Sequence, residues 1–164
     1  MIDSSKYLEN FLQKRRFSMV KNYLKGSVLD FGGNEGELKF FVKGEYTLVN
    51  YDHSPMKNKK FNNIISLAVI EHIEVTEVYA IFRKFKDCLL PDGRIFITTP
   101  TPPSKPLLEF LAWIGLLDKE NIKEHKHYWN KKDIFELAEK TGFKVENYKR
   151  FQLGFNQFAT MSHK

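Results

Sequence analysis

Hydrophobic and polar positions follow two different periods along this chain. From about residue 4 to 24, Tyr7, Phe11, Leu12, Phe17, Val20 and Tyr23 or Leu24 recur at helical spacing in an otherwise polar segment, which Lys25-Gly26 closes. Short, near-continuous apolar runs then take over. Residues 27–31 and 46–52 read as strands, the second ending in Asp52, and 63–70 reads as a third strand running into Glu71-His72. A helix is expected between the first two, from Glu37 to a stop near Gly44. Residues 75–90 form an amphipathic helix closed by Pro91-Asp-Gly93, and 94–99 a fourth strand.

Beyond Thr99 the regular pattern breaks. Four prolines within residues 100–106 forbid a regular helix or central strand there, and the apolar stretch 107–117 follows. A helix over 131–141 and strands over 143–151 and 155–161 complete the chain, the last two pairing antiparallel at a sheet edge. Strands that alternate with helices and are apolar on both faces predict an α/β fold, a Rossmann-like three-layer sandwich around a mostly parallel sheet. Its ligands belong at the carboxyl ends of the strands. The glycine turn after Phe31, Asp52 and Glu71-His72 all fall at that rim.

At 164 residues the chain predicts one domain: an N-terminal helix to residue 25, a cofactor-binding half over 26–100, a lid or substrate segment over 101–130 and a closing helix and strand pair over 131–164. The apolar share of 42% argues against disorder. A net charge of +6 points only weakly to polyanions, because the lysines are scattered. Cys88 is the one cysteine, so no intramolecular disulfide forms, and its place in an apolar run makes it a core residue. Met1 to Lys6 lacks a secretory pattern and no apolar run reaches membrane-spanning length, which predicts a cytoplasmic protein.

The chemistry concentrates in Val28-Leu-Asp-Phe-Gly-Gly-Asn-Glu-Gly36. Glycines there permit positive φ and close approach of a ligand to the backbone. Asp52 lies where a carboxylate can accept both hydroxyls of a ribose, the reading the glycine turn favours over its alternative, a turn-forming aspartate before Ser54-Pro55. A dinucleotide turn requires G-x-G-x-x-G, and glycines at 32, 33 and 36 do not match it. Asp30-x-Gly32-x-Asn34-x-Gly36 instead resembles the D-x-G-x-G-x-G motif of class I S-adenosylmethionine-dependent methyltransferases. Tyr51 to Met56, the run from Phe61 to His72, Leu89 to Pro100 and Gly142-Phe143 are similar to further segments of that family in the same order.

The resemblance implies that Asp30, Phe31, Gly32, Gly33, Asn34 and Gly36 surround the methionine part of S-adenosylmethionine. It implies further that Asp52 with His53 holds the ribose, and that Ser66, Leu67 and Ala68 line the sulfonium side. Glu71 and His72 would border the meeting point with the acceptor. Asn34 stands where the family has a glycine, and asparagine still visits left-handed backbone. The family's third strand has no room between Asp52 and Phe61, so that unit and its adenine-contacting acid are expected to be absent. Some relatives bind a divalent metal through an E-x-x-E-H run. The matching positions here are Ala68, Glu71 and His72, which leaves one carboxylate too few and predicts no required metal.

His125, His127, Tyr128 and Trp129 form a second cluster. Its histidines, with His72, are candidate bases for an acceptor hydroxyl, and Tyr128 and Trp129 candidate substrate contacts; an aromatic anchor docking the segment is the alternative. Residues 107–117 can serve as a lid, as core, or as an interfacial helix touching a membrane. Asn156 is either a substrate contact or part of a buried polar patch. The expected activity is methylation of a small-molecule or glycan acceptor at oxygen or nitrogen. A nucleic-acid methyltransferase is the alternative, though the Asn/Asp-Pro-Pro-aromatic run of amino-directed enzymes is missing after residue 66; a non-catalytic cofactor-binding domain is another.

Overall fold

The computed structural model describes residues 4–164; residues 1–3 and the side chains of residues 4–7, Tyr7 of the predicted stripe among them, lie outside that description. A six-stranded sheet forms the middle layer, in the order β2-β1-β3-β4-β6-β5. The strands are β1 (Val28–Phe31), β2 (Tyr46–Val49), β3 (Phe61–Leu67), β4 (Leu89–Pro100), β5 (Phe143–Phe151) and β6 (Asn156–His163). β1 pairs parallel with β2 and β3, and β3 with β4; β6 pairs antiparallel with both β4 and β5. The reversed strand is therefore β6, one place in from the edge, with β5 outside it.

Alternation along the strands assigns the two faces. Leu29, Ile64, Ile95 and Ile97 point to one side, where helices α2 (Val75–Cys88) and α5 (Lys131–Lys140) bury Val78, Phe82, Phe85, Ile134 and Leu137 against them. Truncating Phe82 or Phe85 there would cost about 3–5 kcal/mol. Cys88 is buried in the same cluster, as expected. Val28, Ile65 and Phe96 point to the other side, under Val20 of α1 (Ser4–Val20) and Leu24. Asn130 caps α5 through a reciprocal bond with Asp133, which fixes where that helix starts.

Four expectations are corrected. The helix after the glycine turn is a single 3₁₀ turn, Glu37–Phe41, with Leu38 buried and Phe40 87% exposed. Few residues remain before β2 begins, and a 3₁₀ turn advances about 2.0 Å per residue against about 1.5 Å for an α-helix, so it returns the chain sooner. β2 ends at Val49, three residues short of Asp52. The Pro91-Asp-Gly93 turn is absorbed into β4 as a bulge, where Leu89 pairs with Phe61 and Arg94 already with Asn63.

The prolines beyond Thr99 do not exclude helix. Pro106 sits in the first turn of α3 (Lys105–Trp113), where a missing N–H costs nothing. α4 (Lys119–Lys123) follows, capped by Asp118. Between β2 and β3 the structure contains one 3₁₀ turn, Ser54–Met56, and β1 pairs β3 directly. The unit expected to be absent is absent, and β2 is the edge strand. No helix among the described residues is long and apolar enough to cross a membrane.

Candidate active site

A cavity of about 540 Å³ opens at the carboxyl ends of β1 and β3. The glycine turn forms its floor. Gly32 has φ +77°, and a Cβ there would stand 2.5 Å from the Val69 side chain; a Cβ on Gly33 would stand 2.2 Å from the Asp30 carboxylate. Only glycine fits at either place. Asn34 takes the left-handed conformation at φ 49°, as its residue type allows, and its carbonyl accepts from Asn50 Nδ2 at 2.9 Å.

Asp30 is buried beneath this turn and accepts a 2.6 Å hydrogen bond from the Tyr46 hydroxyl. Burial pushes its carboxyl up to about 6, the tyrosine bond opposing. β3 ends in a second left-handed residue, Ala68 at φ 57°, which turns the chain into the 3₁₀ segment Ile70–His72. Leu67, Ala68, Glu71 and His72 thereby face the cavity opposite the glycine turn.

The third wall comes from the loop ahead of α5. The Glu71 carbonyl accepts from the backbone N–H of Lys126 at 2.7 Å and of His127 at 3.3 Å, and Trp129 Nε1 donates to the Ile70 carbonyl at 3.2 Å. These bonds bring His125 against His72, ring centroids 4.6 Å apart and edge to face. Tyr128 hydroxyl lies 3.0 Å from His125 Nδ1. Burial pushes the His125 imidazole down to about 4, helped by His72, and lowers His72 as well, so both rings are neutral at physiological pH.

Glu71 is 1% exposed, and no well-aligned hydrogen bond reaches its Oε2 among the described residues, the Thr99 hydroxyl being the side-chain donor beside the carboxylate. Burial raises its carboxyl to about 7, opposed by hydrogen bonds from its own backbone N–H and the Thr99 hydroxyl and, less, by the Arg16 guanidinium. α1 and the α3–α4 segment close the cavity from outside. Asp118 N donates to Glu9 Oε1 at 3.1 Å, joining the two, and Leu108, Leu117 and Ile122 line the inner surface. Phe110 and Trp113 on α3, and Ile114 just beyond it, stay exposed.

The fold therefore gathers Asp30, Gly32, Gly33, Asn34, Leu67, Ala68, Glu71, His72, His125 and Asn156 around one space. Others lie elsewhere. Phe31 is core, packed on Phe85 and on the His53 ring, and Ser66 is fully buried inside the sheet. Gly36 supports the turn from behind, facing Tyr46. Asp52 is exposed beyond β2, its two oxygens taken by Ser54 N at 2.8 Å and Ser54 Oγ at 2.5 Å.

Two members of the aromatic cluster also leave the site. His127 points to Asp133, 3.2 Å away at the start of α5. Trp129 is the buried anchor, its carbonyl accepting from Gln157 Nε2 at 2.5 Å. Tyr128 reaches the cavity only through His125. Sequence reasoning missed Arg16 and Tyr46. Arg16 stands four residues from both Leu12 and Val20, a charge inside the apolar stripe, and Tyr46 shares the alternation of Leu48, the partner of Asp30.

A family model described as a methyltransferase domain matches residues 5–148. No curated protein matches the chain. Among solved structures, the pyocyanin biosynthetic protein PhzM superposes with a TM-score of 0.70 at 13% identity, covering 93% of this chain and 55% of that one. The mitomycin 7-O-methyltransferase MmcR gives 0.69 at 14% identity, covering 93% and 54%. The magnesium protoporphyrin IX methyltransferase ChlM from Synechocystis PCC 6803, solved with bound SAH, gives 0.65 at 14%, covering 98% and 86%. The chain spans about half the length of the first two, and at these identities the likeness concerns the fold. With the family model matching most of its length, this chain belongs to the methyltransferase-domain family, whose cofactor is S-adenosylmethionine.

Proposed function

We propose that this protein transfers the methyl group of S-adenosylmethionine to a small-molecule acceptor, at a hydroxyl oxygen in preference to nitrogen. The observation that carries this reading is the pairing of a glycine floor, open to the backbone, with two half-buried histidines in edge-to-face contact and a buried carboxylate across one cavity. Its volume lies within the range of small-molecule sites. Asp30, Gly32, Gly33, Leu67 and Ala68 are the residues that would hold the methionine part, and Asp52 the ribose through its remaining lone pairs. When bound, the cofactor supplies an electrophilic methyl on a sulfonium.

The protein's part is position and proton. The α1 and α3–α4 walls exclude water and align the acceptor for in-line attack. A neutral imidazole of the His72–His125 pair accepts the hydroxyl proton as the new O–C bond forms, and Glu71 offsets the positive charge that then appears on the ring. Carboxylates Glu9, Glu35, Glu37 and Asp118 line the outer cavity, with Arg16 the only arginine or lysine among the lining residues. That balance favours a neutral or cationic acceptor over a polyphosphate, so nucleic acid is the weaker reading despite the net charge. Phenols and saccharides fit the same description.

The test is equilibrium titration with S-adenosylmethionine, then a screen of phenolic, saccharide and RNA acceptors read by S-adenosylhomocysteine release. Saturable binding and turnover with a neutral hydroxyl compound are expected. Binding absent at millimolar cofactor overturns the reading, and turnover confined to RNA overturns the choice of acceptor.

A further inference from the structure

We propose that Glu71, His72 and His125 form a zinc-class metal site that opens on the cavity. Their ligand atoms all lie within 4.8 Å of one another, drawn from the turn after β3 and the loop before α5. Comparison with the E-x-x-E-H pattern counts two donors; the backbone bonds from Lys126 and His127 to Glu71 add a third from far along the sequence.

The donor set is two imidazoles and one carboxylate. That set suits a borderline transition metal and leaves a fourth position for water or an acceptor oxygen, whereas magnesium and calcium prefer oxygen ligands throughout. Metal–ligand bonds of about 2.0–2.2 Å place donors about 3.5 Å apart, so closing the site takes about an ångström of side-chain rotation.

Two independent observations point to a ligand there. The Glu71 carboxylate is buried, and apart from its own backbone N–H and the Thr99 hydroxyl, neither well aligned on Oε2, it has no hydrogen-bonding counterpart among the described residues, so that oxygen keeps lone pairs for a cation. Tyr128 hydroxyl sits 3.0 Å from His125 Nδ1, so that nitrogen can donate to it and leave Nε2 bare, the arrangement that orients metal-bound histidines. Arg16 is the opposing influence, since its guanidinium acts on both Glu71 and His72.

The inference rests on the proposed acceptor site and changes the role of its two imidazoles: with a metal bound they would be ligands, and the metal rather than a free ring would lower the pKa of an acceptor hydroxyl at the open position. Its test does not need methyl transfer. The full chain, stripped with chelator, is titrated with zinc against a chromogenic indicator, and with cobalt(II) while its visible bands are followed; S-adenosylmethionine binding is measured in parallel on each sample. One zinc per chain and visible cobalt bands are expected. Glu71→Gln, His72→Ala and His125→Ala should each weaken zinc by at least about tenfold, and Tyr128→Phe by a smaller factor. His163→Ala, on β6, should leave it unchanged.

Zinc affinity equal in wild type and all three ligand variants overturns the site, as does a stoichiometry well below one. Circular dichroism on each variant separates lost ligation from lost folding. If cofactor binding persists while zinc binding fails, the metal inference falls alone; if both fail in the wild type, the proposed function falls with it.

Discussion

The two ends of the cofactor-binding rim are built differently. At the end of β1 and β3 the chain encloses its chemistry: two left-handed turns face each other, Asp30 and Glu71 are buried, and α1 with the α3–α4 segment closes the outside. At the end of β2 the acid is on the surface, held by Ser54, and no further strand flanks it. On the proposed reading, the difference teaches that this small fold concentrates its burial where the methyl group would move. The proposed ribose contact would be left to an exposed carboxylate in high dielectric, where one hydrogen-bonding group contributes little.

Substitutions at the enclosed end should cost most. Gly33→Ala would press a methyl into the Asp30 carboxylate, a collision with a buried side chain that cannot swing away. We expect S-adenosylmethionine affinity to fall by more than about a hundredfold, with a lower melting temperature, because overpacking of this kind costs about 1–3 kcal/mol or more. Calorimetric titration and thermal denaturation check both.

The pH dependence of Glu71 sharpens the same contrast. Its folded pKa of about 7 stands above the ordinary value of 4.5, so its favourable contribution is present below about pH 4.5 and lost as pH rises through 7. His125, depressed to about 4, works in the opposite sense below pH 6.5, so the wild type alone blurs the effect. Glu71→Gln removes one side of it. Relative to wild type, with both proteins stripped by chelator, that variant should gain on the order of 3 kcal/mol of stability between pH 4.5 and 8, seen in denaturant melts at several pH values. A difference independent of pH would mean Glu71 is not a buried, destabilised acid.

At the anchor outside the cavity the effect is smaller. Trp129→Phe removes the bond to the Ile70 carbonyl and should cost about 1–2 kcal/mol of stability while cofactor affinity changes little. A large loss of affinity there would show that Trp129 reaches the ligand.

Much of this was legible in the sequence. Strands β1, β3 and β4 announce themselves because both faces are covered, and the missing strand shows in the short interval after Asp52. Local pattern misled where distance governed: Leu38, Phe40 and Phe41 look like a helix face, but the return to β2 is too short for one, and two of the three rings or side chains stay exposed. Asp52 matched a position in a motif, yet its surroundings depend on where β2 stops. His125 joined His72 through backbone bonds that no spacing encodes, while His127, two residues on, turned to Asp133.

The central claim is that cofactor affinity resides at the enclosed end. Calorimetric titration of S-adenosylmethionine into Asp30→Asn and Asp52→Asn, side by side with wild type, tests it most directly. The account predicts a loss of at least about tenfold for Asp30→Asn and less than about threefold for Asp52→Asn, a gap of more than about 0.7 kcal/mol. A larger loss at Asp52 than at Asp30 would contradict it.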